Sequence, residues 1–266
     1  MSKRIAVSVV VFAMMCGVAT AGVLPLRIDE LADQYPVNPE TGFNNIESFW
    51  PGADPTPPGR DYAYQSGLTR VDGGWRNTDV HALSGGVLGI RGTRSSIYGS
   101  QLIFSTDSQV TSELLLRYGT YTGAANQMNA DIDAAPIPSI FLYFYVVQSD
   151  MPIGATGAYV DARVATHQGE ASAKEFIRNN IEIPEVQPTD MPDWFLIPLA
   201  TLSDGTNAPT AADINDVDGV RIRLWTNNSR GWDLVITDVG FATPEPATIT
   251  LLGLGALALR LRRRKK

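Results

Sequence analysis

The chain has 266 residues, 24 of them glycine and 17 proline, with 21 basic and 28 acidic side chains and a formal charge of −7 at neutral pH. Eight of the basic residues stand at the two ends, namely Lys3, Arg4, Arg260, Arg262, Arg263, Arg264, Lys265 and Lys266, so 13 basic residues face all 28 acidic ones in between, a net of −15. A body so acidic repels phosphate backbones, which argues against a nucleic-acid partner, and its length is ample for one sizeable core.

The opening MSKRIAVSVVVFAMMCGVATAG has two early positive charges, an apolar run from Ile5 to about Val18, and Ala19-Thr20-Ala21 ahead of Gly22. This is the make-up of a secretory signal peptide over residues 1–21. Signal peptidase accepts small side chains such as Ala19 and Ala21 because its pockets are shallow, and the mature chain is expected to start at Gly22. The other reading, an uncleaved anchor, meets the difficulty that the run is shorter than the roughly 20 residues a span needs. The only cysteine, Cys16, lies inside this segment. The exported remainder is therefore expected to have no disulfide, no thiol nucleophile and no thiolate metal site.

From Gly22 onward helical periodicity is scarce. Residues 22–60 are rich in Pro, Asn and Gly, with PGADPTPPG at 51–59, and read as an irregular lead-in with 46–50 as a first strand. Short apolar or alternating runs punctuated by Gly, Asn, Asp and Pro then predict strands over 87–91, 101–105, 113–118, 139–148, 158–164, 194–199, 220–225 and 232–241. SIFLYFYVVQ is apolar on both faces and reads as a strand covered on both sides. Only 171–179, ASAKEFIRN, reads as a short helix. No internal repeat is visible. The pattern is that of an all-β sandwich, one domain over 22–241 followed by a linker at 242–246.

Groups suited to catalysis are few. His81 and His167 are the only histidines, and neither sits in a metal spacing or beside a nucleophile elbow, so each reads as a loop or surface residue. DINDVDG at 213–219 fails the register of an EF-type calcium loop and reads as a polar turn leading into the strand at Val220. In VRIRLW, alternation sets Val220, Ile222 and Leu224 on one face and Arg221, Arg223 and Trp225 on the other. An indole can stack on the C–H face of a sugar while guanidinium donors hold hydroxyls or uronate carboxylates, so this second face is a candidate polysaccharide platform. The competing reading is two solvated arginines beside a tryptophan packed under a loop. Trp232 alternates with Leu234 and Ile236 and is expected in the core, whereas Trp50 and Trp75 read as loop residues.

The chain ends in ATPEPATITLLGLGALALRLRRRKK. The uncharged run 247–259 makes a helix of about 20 Å, short against a hydrocarbon core of about 30 Å. Arg260, Arg262, Arg263, Arg264, Lys265 and Lys266 form a stop-transfer block, expected to stay cytoplasmic as the tail 260–266. Ahead of the run, Pro244 and Pro246 flank Glu245 and hold the chain extended. Pro-Glu-Pro, a short apolar helix and a basic terminus, in this order, resemble the PEP-CTERM sorting signal of Gram-negative bacteria that make exopolysaccharide. The resemblance implies recognition and cleavage by exosortase, an inner-membrane precursor, and a body delivered to the cell surface or extracellular matrix. A simple C-terminal anchor is the alternative, and it gives Pro244, Glu245 and Pro246 no special role.

WFLIPLATLSDG, TAADINDVDGVRIRLW and WDLVITDVGF together resemble the closing half of galactose-binding-like jelly rolls, the architecture of many carbohydrate-binding modules. That resemblance implies a single jelly-roll sandwich and, in such modules, a structural Ca²⁺ held between an acidic residue near the first strand and an Asp in the last. Glu47 and Asp238 occupy those places. The function expected is a non-catalytic surface or matrix protein that binds extracellular polysaccharide. The alternative is a secreted glycan-active enzyme, a hydrolase or lyase, of similar fold.

Overall fold

Period-two alternation governs most of the chain and yields thirteen strands among the described residues. The structure, a computed structural model, describes residues 23–36, 45–49, 60–85, 92–108, 110–119, 140–150, 157–183, 193–226 and 230–244. The strands are β1 (Val23–Asp29), β2 (Asn45–Phe49), β3 (Arg60–Ser66), β4 (Trp75–Gly85), β5 (Gly92–Tyr98), β6 (Gln101–Ser108), β7 (Val110–Gly119), β8 (Phe141–Asp150), β9 (Ala158–Thr166), β10 (Lys174–Glu182), β11 (Asp193–Pro198), β12 (Val217–Thr226) and β13 (Arg230–Pro244). Leu26–Phe241 forms one compact unit. Described residues beyond it are the outer ends of β1 and β13, which belong to a second unit made of the chain ends.

The strands form two sheets. The first runs β11-β8-β13-β6-β5-β2, with β1 pairing β13, and the second runs β10-β9-β12-β7-β4-β3. The chain passes between the sheets from β6 to β7, β7 to β8, β8 to β9 and again through β10 to β13, the winding of a jelly roll. The all-β two-sheet sandwich expected from the sequence is therefore the fold.

One core fills the space between the sheets. The second sheet sends in Leu114, Leu116 and Tyr118 from β7 and Val220, Ile222 and Leu224 from β12; the first answers with Phe104, Phe144, Trp232 and Leu234. Each such side chain contributes about 1.5–3 kcal/mol by leaving water. Trp232 lies edge-on to Phe104 at 5.6 Å and donates its indole N–H to Ser149 Oγ at 3.2 Å, so the tryptophan expected in the core is there with its polar atom satisfied.

One end of the core is closed by a buried ion pair. Arg76 of β4 donates to Asp29 Oδ2 at 2.7 Å, with both side chains fully buried. It donates also to Gln65 Oε1 at 2.8 Å and to the Asp33 carbonyl. Gln65 passes the link on to the Gln34 carbonyl at 2.6 Å, and Tyr35 reaches Ser95 Oγ of β5 at 3.1 Å. The stretch from Asp29 to Tyr35 is thereby pinned across both sheets, although it has no strand of its own after Asp29.

Several expectations change. Residues 174–182 form strand β10, not a helix: Phe176 enters the core, Lys174–Arg178 pairs with β9, and this tertiary pairing overrides the local preference of ASAKEFIRN. Asn180 (φ 57) marks the irregularity between Arg178 and Ile181, and its N–H is taken by Asp161 Oδ1 at 2.8 Å. Residues 60–66, 75–85 and 92–98 are strands that the sequence did not mark, so Trp75 and His81 belong to β4, not to loops. The lead-in carries β1 as well as β2. The strand expected over 87–91, Trp50, the signal segment 1–21 with its cleavage site, and the apolar run and basic tail at 247–266 lie outside the described residues. Among the described residues no helix is long and apolar enough to cross a membrane.

The DINDVDG segment resolves into a cap and a turn. Ala211–Ile214 is a single helical turn capped by Thr210, whose side chain accepts from the Asp213 N–H while Asp213 accepts from Thr210 N at 2.7 Å. Lys174 binds Asp213 Oδ1 at 2.8 Å. Burial pushes the Asp213 carboxyl up, but Lys174 and Thr210 together outweigh it and hold the group below the ordinary aspartate value. A depressed carboxylate adds stability that is full above its unfolded value and lost as pH falls through its folded value.

Two measurements check these assignments. Arg76→Ala strands Asp29 in the core and is expected to cost about 3–5 kcal/mol in denaturant unfolding; a loss under about 1 kcal/mol would show that the clamp does not hold this end of the core. Asp213→Asn is expected to cost about 1 kcal/mol near neutral pH, with the gap to the parent closing as the pH falls below the aspartate range. Parallel stability curves across that range would show that the Asp213 charge has no role in the cap.

Candidate functional site

Inward packing of one face of the second sheet obliges the other to point away from the core, and that outer face carries a set of aromatic and charged residues. Its strands are in continuous register. Tyr64, Asn77, Arg117, Arg221, Arg163 and Ile177 form one row across β3, β4, β7, β12, β9 and β10. Tyr62, Asp79, Leu115, Arg223 and Asp161 form the next, and His81, Glu113, Trp225 and Tyr159 the one after. These residues alternate with core positions along every strand, as the burial pattern of β12 shows.

Two aromatic pairs flank the arginines. Tyr64 meets Trp75 edge-on at 5.3 Å, and Tyr159 stacks on Trp225 at 4.8 Å with the planes 30° apart. β4 and β12 are two strand spacings apart, about 10 Å. Tyr62 and Tyr64 are 67% and 53% exposed.

The charges between them are tied together. Arg223 donates to Glu113 Oε2 at 2.5 Å and to Asp161 Oδ2 at 3.0 Å, and its guanidinium lies 5.4 Å from the Trp225 ring centre. Burial works against the Arg223 charge, but the two carboxylates outweigh it and raise its pKa above the ordinary arginine value. Arg117 holds Asp79 at 2.7 Å, Arg163 holds Glu175 at 3.1 Å, and His81 Nδ1 is 3.1 Å from Glu113. Such pairing fixes long side chains in one geometry, as a rigid recognition surface needs. The indole nitrogens of Trp75 and Trp225, Asn77 Oδ1, His81 Nε2 and Arg163 Nε are buried on this face without a hydrogen-bond partner.

Arg221, Arg223 and Trp225 thus lie on one outer face, the arrangement that alternation predicted. Tyr62, Tyr64, Trp75, Arg117, Tyr159 and Arg163 were not picked out by the sequence, although DYAYQS at 61–66 carries an alternating signal. Glu47 and Asp238 are not brought together. Glu47 on the edge strand β2 shares a row with Arg94, Ser105 and Asp233, three strand spacings from β13, and Asp238 lies five residues further along β13. Asp238 is engaged instead by Arg27 Nε at 3.2 Å. A calcium ion shared by Glu47 and Asp238 does not fit this arrangement.

A different group has metal-compatible geometry. His167 Nδ1 lies 2.7 Å from Asp216 and 3.9 Å from Glu170, and the ligand atoms of all three fall within 4.8 Å of one another. One imidazole with two carboxylates is a donor set that divalent cations accept. Its other ring nitrogen faces Asp213 at 3.7 Å, where Lys174 already supplies positive charge.

No curated protein sequence matches the chain significantly. Solved structures overlap it loosely. One is a carbohydrate-binding module of the β-sandwich superfamily described for promiscuous specificity, at 15% identity, covering 73% of this chain and 61% of that one, with a TM-score of 0.29. Another is the family 11 carbohydrate-binding module of Clostridium thermocellum in complex with a β-1,3-1,4-mixed-linked tetrasaccharide, at 8% identity, 74% and 95% coverage and a TM-score of 0.29. A third is an agarase, at 10% identity, 56% and 23% coverage and a TM-score of 0.29. Overlaps this loose do not bear on what the chain binds. The family model for the PEP-CTERM protein-sorting motif matches residues 242–265, where Pro244 closes β13 and Glu245 and Pro246 lie beyond the described residues. The chain therefore carries a PEP-CTERM protein-sorting motif at its C-terminal end.

Proposed function

We propose that the protein is an exported, non-catalytic polysaccharide-binding component of the cell surface or extracellular matrix. In this reading signal peptidase removes residues 1–21, the apolar run 247–259 holds a precursor in the inner membrane, and exosortase processes the chain at the Pro244-Glu245-Pro246 motif. The sorting match supports the route; the outer face of the second sheet supports the binding role.

The observation that carries the binding role is the joint presence on one face of exposed tyrosines, two aromatic pairs and ion-paired arginines. Sugar rings present C–H faces to aromatic planes and hydroxyls to charged donors, and this face offers both in fixed positions. Glycoside hydrolysis would need one carboxyl as acid and a second as base or nucleophile. The carboxylates here, Asp79, Glu113 and Asp161, are instead each held by an arginine. That favours binding over the glycan-active alternative.

Two experiments test the proposal. In affinity electrophoresis through gels containing extracellular polysaccharide, the chain is expected to be retarded with no release of reducing sugar, and the Tyr62→Ala, Tyr64→Ala double variant to lose most of that retardation at unchanged Tm. Release of reducing ends would favour the enzyme. In cells, Glu245→Ala is expected to leave full-length protein in the inner membrane, whereas normal release would reduce the tail to a simple anchor.

A further inference from the structure

Three arginines from adjacent strands stand side by side on this face. Arg221 of β12 is the direct cross-strand partner of Arg117 on β7 and of Arg163 on β9. Directly opposed residues have Cβ atoms about 4.5–5.5 Å apart, and like charges so placed destabilise a sheet. The row contains no carboxylate: Tyr64, Asn77 and Ile177 are its other members. Asp79 and Glu175 reach Arg117 and Arg163 from neighbouring rows, each taking one terminal nitrogen, while a guanidinium has five N–H donors. Arg163 Nε is among the buried atoms without a partner. A chain with 13 basic and 28 acidic residues between its ends has thus gathered three of its few cations into one line.

We propose that this row is a carboxylate-binding stripe, and that the polysaccharide taken by the face is acidic, a polymer of uronic-acid sugars. The proposal rests on the saccharide-binding reading of the same face and adds the chemical class of the ligand. A planar carboxylate matches the guanidinium fork in a way a hydroxyl does not. Tyr64–Trp75 lies at the β3–β4 end of the row and Tyr159–Trp225 four residues along β9 and β12 from Arg163 and Arg221, which puts both pairs on the face that meets the sugar rings.

The test compares binding of the full chain to polygalacturonate and to a neutral glucan at about 50 mM and about 500 mM NaCl. The expected result is a preference of about tenfold or more for the acidic polymer at low salt, mostly lost at high salt. Arg221→Gln is expected to weaken polygalacturonate binding about tenfold without lowering Tm, and Arg163→Gln carries the same test should the first variant fold poorly. Equal, salt-insensitive binding of the neutral glucan, still abolished by the double tyrosine variant, overturns the acidic assignment and leaves the saccharide reading standing. Retention of neither polymer overturns both. Normal binding by a folded arginine variant, or loss of the fold by both variants, makes the row structural and also overturns the proposal.

Discussion

The buried pair of Arg76 and Asp29 is the constraint on which the organisation of this sandwich rests. A charge with no solvent access is tolerable only when its donors are all met, and Arg76 meets Asp29, Gln65 and the Asp33 carbonyl at once. Those partners lie on β1, on β3 and in the irregular stretch after β1. Satisfying one guanidinium therefore fixes where the start of the body lies against β3 and β4, and with it the edge of the second sheet that carries Tyr62 and Tyr64. An apolar residue in its place would fill the volume without specifying that geometry.

The two sides of the second sheet answer to different demands. Its inner face is mostly apolar on β7, β9 and β12, with Ser112, Thr166 and Thr226 as buried polar exceptions, and repays burial. Its outer face retains tyrosines exposed to solvent and arginines opposed to arginines, and the binding role proposed for that face accounts for both.

The sequence shows this architecture unevenly, for physical reasons. Strands with strong alternation or continuous apolar runs, such as 113–118, 158–164 and 220–225, are legible because the period-two signal is local. β3 and β4 are harder: RDYAYQS and WRNTDVHALSG carry polar residues at inward positions, among them Gln65, Arg76 and Thr78, whose burial depends on partners far away in sequence. Residues 171–179 read as helix because edge-strand pairing is set by β9 and not by their own residues. The same holds for the candidate site. Arg221, Arg223 and Trp225 are adjacent on one strand and their shared face is predictable; that Arg117 and Arg163 flank Arg221 follows only from cross-strand register. The calcium pairing of Glu47 with Asp238 fails for the converse reason, since resemblance placed two residues by position in the chain while two intervening strands separate them in the sheet.

The position of β13 has a mechanical consequence. This strand lies between β8 and β6 in the interior of its sheet and ends at Pro244, so any pull arriving through the tail acts along the strand's own axis. Hydrogen bonds of an antiparallel ladder run across the strands. Force along β13 therefore loads the bonds to both neighbours together, in shear, where an edge strand pulled outward would unzip bond by bond.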